Sequence, residues 1–306
     1  MKKVFVNIRT DEKQRQRLET ISDQYEFVYE AELDANIILG NYSPRKLKEF
    51  ENLEWIQTAA VGIDGFIKDG NLREGVILTN AVDVHSVEVA EHLFAMIMSM
   101  TRKFHLYRDD QKERLWTDEG MTKELTKLKV TIIGFGDIGR VLAKLLKGIG
   151  IYVIGVKRTM IEKPDCLDEL YTNKDLEKAI SDVDVVVSIL PGNKENAYLF
   201  TVDTFRKMRP DTIFLNAGRG NLCSTETIKE VLDQHIIAAI ALDVFEKEPL
   251  PKDSPLWDYK NLIITPHVAG SYRLESTYEK FFALAEENLR RYISGQELLH
   301  VVKERE

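Results

Sequence analysis

Three polar residues in this 306-residue chain could share one reaction: Arg219, Glu248 and His267. Each follows an apolar run that reads as a buried strand. T-I-F-L-N-A-G precedes Arg219, I-A-L-D-V-F precedes Glu248, and L-I-I-T-P-H ends in His267. In an open α/β sheet, ligands bind in the crevice beyond the carboxyl ends of the strands. A guanidinium can grip a carboxylate through two parallel hydrogen bonds. An imidazole titrates near neutrality and can pass a proton in either direction. Asp243 lies on the strand just ahead of Glu248. Each residue has a plain structural alternative: a salt-bridge partner for Arg219, a surface charge before Pro249 for Glu248, a satisfied loop histidine for His267. Their common position at strand ends suggests that a cation, a carboxylate and an imidazole converge on one cleft.

A second constellation says what that cleft would hold. G-F-G-D-I-G follows the strand K-V-T-I-I and opens the helix D-I-G-R-V-L-A-K-L-L-K. Gly134 permits a tight turn, Gly136 lets the backbone approach a pyrophosphate, and Gly139 lets the helix pack closely on the strand. Asp137 and Ile138 complete the set of candidate cofactor contacts in this turn. Free N–H groups and the helix dipole favour a diphosphate at that helix N-terminus. The motif alone is weak evidence; the strand before it and the helix after it give it context.

The next strand, Y-V-I-G-V, ends in Lys157-Arg158-Thr159, where NAD-binding folds usually carry an acidic residue. A carboxylate there would accept hydrogen bonds from the adenosine ribose and repel a 2′-phosphate. Two cations and a hydroxyl do the opposite. The turn therefore favours NADP(H) over NAD(H), the structural alternative being an exposed basic corner with no ligand.

These residues need elements to position them. From Val130 onward the strands are nearly continuous apolar runs separated mostly by helical segments, as a parallel sheet covered on both faces requires. The first part of the chain is weaker but similar. V-F-V-N-I (4–8), N-I-I-L-G (36–40), W-I-Q-T-A-A (55–60) and V-I-L-T-N (76–80) read as strands. D-E-K-Q-R-Q-R-L-E-T-I and S-P-R-K-L-K-E-F read as helices, the second with Ser43 as N-cap and Pro44 at its first position. A long helix is expected from about His85 to about Tyr107, with Val89, Leu93, Met96, Ile97 and Met100 along one face, and a last helix over 275–292.

Composition bounds the alternatives. An apolar share of 44% with 30% charged residues fits a soluble globular protein of two domains. The net charge of -8, without a basic run, gives no nucleic-acid face. Cys166 and Cys223 lie far apart without metal-ligand spacing, so free thiols in a reducing cytoplasm and no metal site are expected. The N-terminal apolar run is too short for a signal sequence, and L-F-A-M-I-M-S-M is too short to span a bilayer.

The chain resembles the D-isomer-specific 2-hydroxyacid dehydrogenases over nearly its whole length. The resemblance is carried by T-A-A-V-G-I-D (58–64), T-N-A-V-D-V-H-S-V-E-V-A-E-H (79–92), G-F-G-D-I-G, S-I-L-P-G-N-K-E-N (188–196), N-A-G-R-G (216–220), A-L-D-V-F-E-K-E-P-L-P (241–251) and I-T-P-H-V-A-G (264–270). It implies an α/β architecture of two doubly wound parallel-sheet domains. Residues 99–270 would form a Rossmann-type cofactor domain, and 1–98 with 271–306 a smaller flavodoxin-like substrate domain. It further implies that His267 is the general acid and base, that Glu248 bonds its other ring nitrogen, and that Arg219 holds and polarises the substrate. Cofactor contacts would come also from Leu190, Pro191, Ala217, Asp243, His267 and Gly270, with Asp243 on the nicotinamide carboxamide. The backbone of Val61 and Gly62 would bind the substrate carboxylate, in a cleft that closes between the domains.

The implied reaction is the NAD(P)-dependent reduction of a small 2-oxo acid of the glyoxylate, hydroxypyruvate or pyruvate type to its D-2-hydroxy acid. The resemblance also implies a homodimer, with the apolar helix 89–100 as part of its contact. Two alternatives share the fold, an NAD(P)-sensing scaffold and a phosphite-type dehydrogenase; Glu248 argues against the formate type. Ser224 stands where the family commonly has aspartate, and the chain ends at Glu306 without a regulatory extension. That ending argues against the serine-regulated type of phosphoglycerate dehydrogenase.

Overall fold

The computed structural model describes residues 1–67 and 70–302. The last four residues of the stretch expected to complete the substrate domain, 303–306, lie outside the described residues. The helices are, in chain order, α1 (Glu12–Glu19), α2 (Asp64–Ile67), α3 (Ser86–Thr101), α4 (Phe104–Glu113), α5 (Asp137–Gly148), α6 (Leu176–Ile180), α7 (Val202–Phe205), α8 (Thr225–Asp233) and α9 (Glu275–Ile293). The chain divides into two compact units, Met1–His85 with Tyr272–Glu306, and Ser86–Ser271.

The first unit holds a parallel sheet of β1 (Lys2–Asn7), β2 (Tyr25–Val28), β3 (Ile37–Gly40), β4 (Trp55–Gln57) and β5 (Ile77–Thr79), in the order β2-β1-β3-β4-β5. That is the flavodoxin-like order. β3 is buried at every position, and Val4, Val6, Ile37, Leu39 and Trp55 pack with Phe282 and Leu289 of α9. Helix α1 starts at a reciprocal cap: the Asp11 carboxylate accepts the Gln14 N–H at 2.8 Å and the Gln14 amide oxygen accepts the Asp11 N–H at 3.0 Å. S-P-R-K-L-K-E-F is not an α-helix but a 3₁₀ turn, Pro44–Glu49. Three residues per turn put Leu47 and Phe50 on one face, and both are buried.

The second unit holds seven parallel strands, β6 (Lys129–Ile133), β7 (Tyr152–Lys157), β8 (Glu169–Thr172), β9 (Val185–Ser188), β10 (Ile213–Asn216), β11 (Ala239–Leu242) and β12 (Leu262–Ile264). Their order, β12-β11-β10-β9-β6-β7-β8, is that of a Rossmann sheet extended by one strand, reversing between β6 and β9. Both sheets are parallel throughout, as the continuous apolar runs require.

The long helix expected from His85 to Tyr107 is two helices. Lys103, between α3 and α4, has a left-handed backbone with φ 59°, and this ends the regular run. Val89, Leu93, Met96, Ile97 and Met100 are buried within the second unit, where α3 packs on α5. That apolar face is therefore covered by the chain's own core. The same packing places the unit boundary at 85/86, ahead of α3, where the sequence reading drew it at 98/99. Ser224 caps α8 by accepting the Thr227 N–H at 3.1 Å. No helix among the described residues is long and apolar enough to cross a membrane.

Candidate active site

The glycine turn lies at the point where the strand order reverses, which is where an open sheet leaves a crevice. Gly134 follows β6 with φ 90°, and a Cβ on it would come within 2.8 Å of the Ile189 carbonyl that follows β9. Only glycine fits both that backbone and that approach. At Gly136, by contrast, a Cβ would meet nothing nearer than 3.9 Å, so the turn's outer side is open. Helix α5 begins there with Gly136 as its cap, and among the described residues no side chain is bonded to its first N–H groups, those of Asp137, Ile138 and Gly139. Gly139 itself faces β6: a Cβ there would sit 3.2 Å from the Ile132 side chain.

A pocket of about 400 Å³ opens over this turn. Gly134, Gly136, Lys157, Arg158, Thr159, Leu190 and Pro191 all line it, which brings the basic turn and the glycine turn to one place. The Lys157 ammonium donates to the Phe135 carbonyl at 3.1 Å, tying the end of β7 to the glycine turn. Asn173, Asn193, Glu195 and Asn196 also line the pocket, and sequence reading had assigned them no role. Asn193, Glu195 and Asn196 fall within the quoted S-I-L-P-G-N-K-E-N block. Asn173 follows β8, whose four positions are all half-buried, leaving no alternation to reveal a strand. Asp137, Ile138, Gly139, Ala217, Asp243, His267 and Gly270 do not line this pocket.

Arg219 is held by a loop with little freedom. The Asn216 amide donates to the Arg219 carbonyl at 2.9 Å and accepts the Gly218 N–H at 3.0 Å. A Cβ on Gly218 would collide with Leu190, and one on Gly220 with the Phe245 carbonyl at 1.9 Å. The two glycines thus let Arg219 emerge between the β9 loop and the segment leading to Glu248. Ala217 donates its N–H to the Ser188 carbonyl at 3.1 Å, fixing the loop's start.

Glu248 and His267 are paired: His267 Nδ1 lies 2.7 Å from Glu248 Oε2. The other carboxylate oxygen accepts the Phe245 N–H at 2.9 Å, which fixes its direction. The pair engages Nδ1, so Nε2 is the ring nitrogen not bonded to Glu248. Hydrogen bonding to Glu248 raises the His267 pKa above the ordinary imidazole value, against burial and the nearby Arg219 cation, which lower it. Burial pushes the Glu248 carboxyl upward, but its bonds to His267 and the Phe245 N–H outweigh this and hold it below the usual range. The ring is thereby held toward its protonated form and the carboxylate toward its ionised one.

His267 has a left-handed backbone, φ 52°, which histidine tolerates better than most residues. Its N–H donates to the Asp243 carbonyl at 2.8 Å. Asp243, 1% exposed, does more: its carboxylate accepts the Thr265 hydroxyl at 2.6 Å and the Val268 and Ala269 N–H groups at 2.9 and 3.0 Å. It brackets the histidine in sequence and braces the loop on both sides. His92 of α3 adds to this brace, with Nε2 3.1 Å from the Thr265 hydroxyl. Neither His92 nor Thr265 had been singled out from the sequence. Gly270 lies on the exposed side of the same loop.

In the first unit, the segment after β4 carries Val61 and Gly62. Asn80 donates to the Val61 carbonyl at 2.9 Å, and the Thr58 hydroxyl accepts the Ala60 N–H at 3.2 Å. Among the described residues, the N–H groups of Val61 and Gly62 meet no acceptor.

A Rossmann-type sheet with an open glycine turn at its switch point, and an ion-paired imidazole beyond its strand ends, has the layout of a nicotinamide-dependent dehydrogenase. The family model described as D-isomer specific 2-hydroxyacid dehydrogenase, NAD binding domain, matches residues 94–269, and the chain belongs to this family. It is an NAD(P)-dependent oxidoreductase acting on the CH–OH group of donors. It is 30% identical to the glyoxylate reductase of Pyrococcus furiosus over 251 residues, 78% of this chain and 72% of that one. A D-isomer specific 2-hydroxyacid dehydrogenase family protein from Aeromonas salmonicida has the same fold, with TM-score 0.87 and 29% identity over 99% of both chains. The NADPH-dependent glyoxylate/hydroxypyruvate reductase of Sinorhizobium meliloti, solved with NADP and sulfate, gives TM-score 0.82 and 26% identity over 99% and 98% of the two chains.

Proposed function

We propose that the protein reduces a small 2-oxo acid of the glyoxylate or hydroxypyruvate type with NADPH, His267 supplying the proton. The observation that carries this reading is the 2.7 Å pair of His267 and Glu248 beside the Arg219 cation. Nicotinamide, when bound, supplies the hydride. His267 Nε2–H would donate to the carbonyl oxygen as negative charge develops on it. Glu248 holds the ring and favours the imidazolium that must exist before the transfer. Arg219 would orient the acid through its carboxylate and draw density from the carbonyl. The Val61 and Gly62 N–H groups of the first unit are the second carboxylate ligand in this reading. Asp243 braces the His267 loop; with three hydrogen bonds already accepted, its carboxylate keeps about one lone pair for the carboxamide contact that the family resemblance implies.

The site's chemistry fits the cofactor: an uncapped helix start for the diphosphate, and a pocket wall of Lys157, Arg158 and Thr159 for a 2′-phosphate. The relatives named for glyoxylate reduction, one of them NADPH-dependent, support the same substrate and cofactor. Replacing Arg158 by Asp removes one charge-assisted grip and adds repulsion. KM for NADPH then rises by about 10–100-fold, while KM for NADH stays level or falls, as steady-state rates with each nucleotide will show. An NADH preference in the unaltered protein would leave the basic turn a solvated corner.

The histidine pair sets the pH dependence. Reduction needs the imidazolium, so kcat/KM for the oxo acid is full below the raised His267 pKa and falls as pH rises through it. Oxidation of the hydroxy acid runs the opposite way. Glu248→Gln removes the charge that raises this pKa, so the falling limb of the reduction profile moves to lower pH. A limb that stays in place in the variant would separate His267 from the proton transfer.

A further inference from the structure

The segment that carries Val61 and Gly62 is fixed at its start by an arrangement that the reaction as described does not use. The Ala59 carbonyl accepts two hydrogen bonds from side chains far away in sequence, the Tyr272 hydroxyl and His85 Nε2, the latter at 3.1 Å. A carbonyl only accepts, so His85 carries its proton on Nε2. The two rings also touch, edge to face, with centroids 4.4 Å apart. Tyr272 is packed in turn against Phe281 and Tyr278, at centroid distances of 5.7 and 6.2 Å. Ala59 is buried with Ala81, Val84, Phe281 and Ala285.

This is a costly arrangement for a structural loop. Tyr272 sits at φ 56°, a backbone region that a bulky residue enters only when its surroundings over-determine it. His85 and Tyr272 also stand where the chain leaves and re-enters the first unit, after His85 and after Ser271. Both connecting segments are thus pinned to one peptide group, two residues ahead of Val61. Beyond the pinned carbonyl, the Val61 and Gly62 N–H groups are left without acceptors among the described residues.

We propose that His85 and Tyr272 are positioning residues: by clamping the Ala59 carbonyl they aim the Val61 and Gly62 N–H groups at the substrate carboxylate. The proposal rests on the reading that this loop binds that carboxylate. Its effect belongs to acid affinity, not to cofactor binding or to the proton transfer at His267. Tyr272→Phe keeps the ring and its contacts but removes the donor, and His85→Leu removes the other. Each raises KM for glyoxylate or hydroxypyruvate by about fivefold. The double variant exceeds the product of the two, because either donor alone still holds the carbonyl. His85→Gln, which keeps an N–H donor, recovers most of what His85→Leu loses. Through the series kcat, KM for NADPH and the thermal midpoint stay near their original values, which a general loss of folding would not allow.

Hydrogen exchange on the unaltered protein separates the two layers. Oxamate, a non-reducible analogue of a 2-oxo acid, is added with NADPH, and protection of the 59–63 amides is followed. Protection there, with KM for the acid unchanged in the double variant, overturns the clamp and leaves the loop's role standing. No protection in the unaltered protein removes the loop's role and the clamp with it.

Discussion

Replacing His267 by Asn lowers the rate of 2-oxo acid reduction by about 10²–10⁴-fold, the usual share of a positioned acid–base group. Asn is the informative choice because it accepts a left-handed backbone, and His267 sits at φ 52°. The loop should therefore keep its bonds to Asp243, whose partners are the Thr265 hydroxyl and the Val268 and Ala269 N–H groups. Binding of NADPH, followed by fluorescence or calorimetry, stays close to normal, since the glycine turn and the basic turn are untouched. Loss of nucleotide affinity in step with rate would show that the histidine's main work is structural.

The second large effect falls on Arg219. In the proposed role, Arg219→Gln loses a bidentate grip on the substrate carboxylate, and each charge-assisted hydrogen bond contributes about 1.5–3 kcal/mol. Two such bonds place the expected fall in kcat/KM for the acid at about 10²–10⁴-fold. Arg219→Lys restores the charge without the fork and recovers only part of it. The pH profile adds an independent sign. Arg219 now holds the His267 pKa down, so in the Gln variant the falling limb of the residual activity moves to higher pH. Glu248→Gln moves it the other way. Opposite shifts from two neighbours are difficult to explain unless His267 is the titrating group.

Much of this geometry was legible because the sequence states it redundantly. Gly134 must be glycine for its φ of 90° and for its approach to Ile189, and the G-x-G-x-x-G spacing records both demands. The inner strands of the second unit are buried on both faces, so T-I-F-L-N and A-I-A-L stand out as unbroken apolar runs. The weaker elements lie where burial is partial. β2 alternates as half-buried, exposed, half-buried and buried positions at a sheet edge, and β8 at the other sheet's edge has no fully buried residue. The break at Lys103 has no glycine or proline to announce it.

The site residues that escaped notice are of a different kind. His92, Thr265, His85 and Tyr272 act on other protein groups, and such partners are far apart in the chain. His92 bonds a residue 173 positions away and Tyr272 one 213 positions away. No local spacing encodes contacts of that range; only the folded sheet brings them together. Asp243 shows the same limit. Its place on the strand ahead of Glu248 is plain in the sequence, while the N–H groups that occupy its carboxylate are visible only with the loop folded back over the strand end.

The most direct test of the mechanism follows NADPH consumption by the unaltered protein with glyoxylate, hydroxypyruvate and pyruvate, and assigns the configuration of the product formed from pyruvate. The expected result is oxidation of NADPH that depends on the acid, D-configured product, and loss of both in His267→Asn. Nucleotide binding of normal strength, with no acid raising NADPH oxidation above background, would contradict it and favour a nucleotide-sensing role for the same fold.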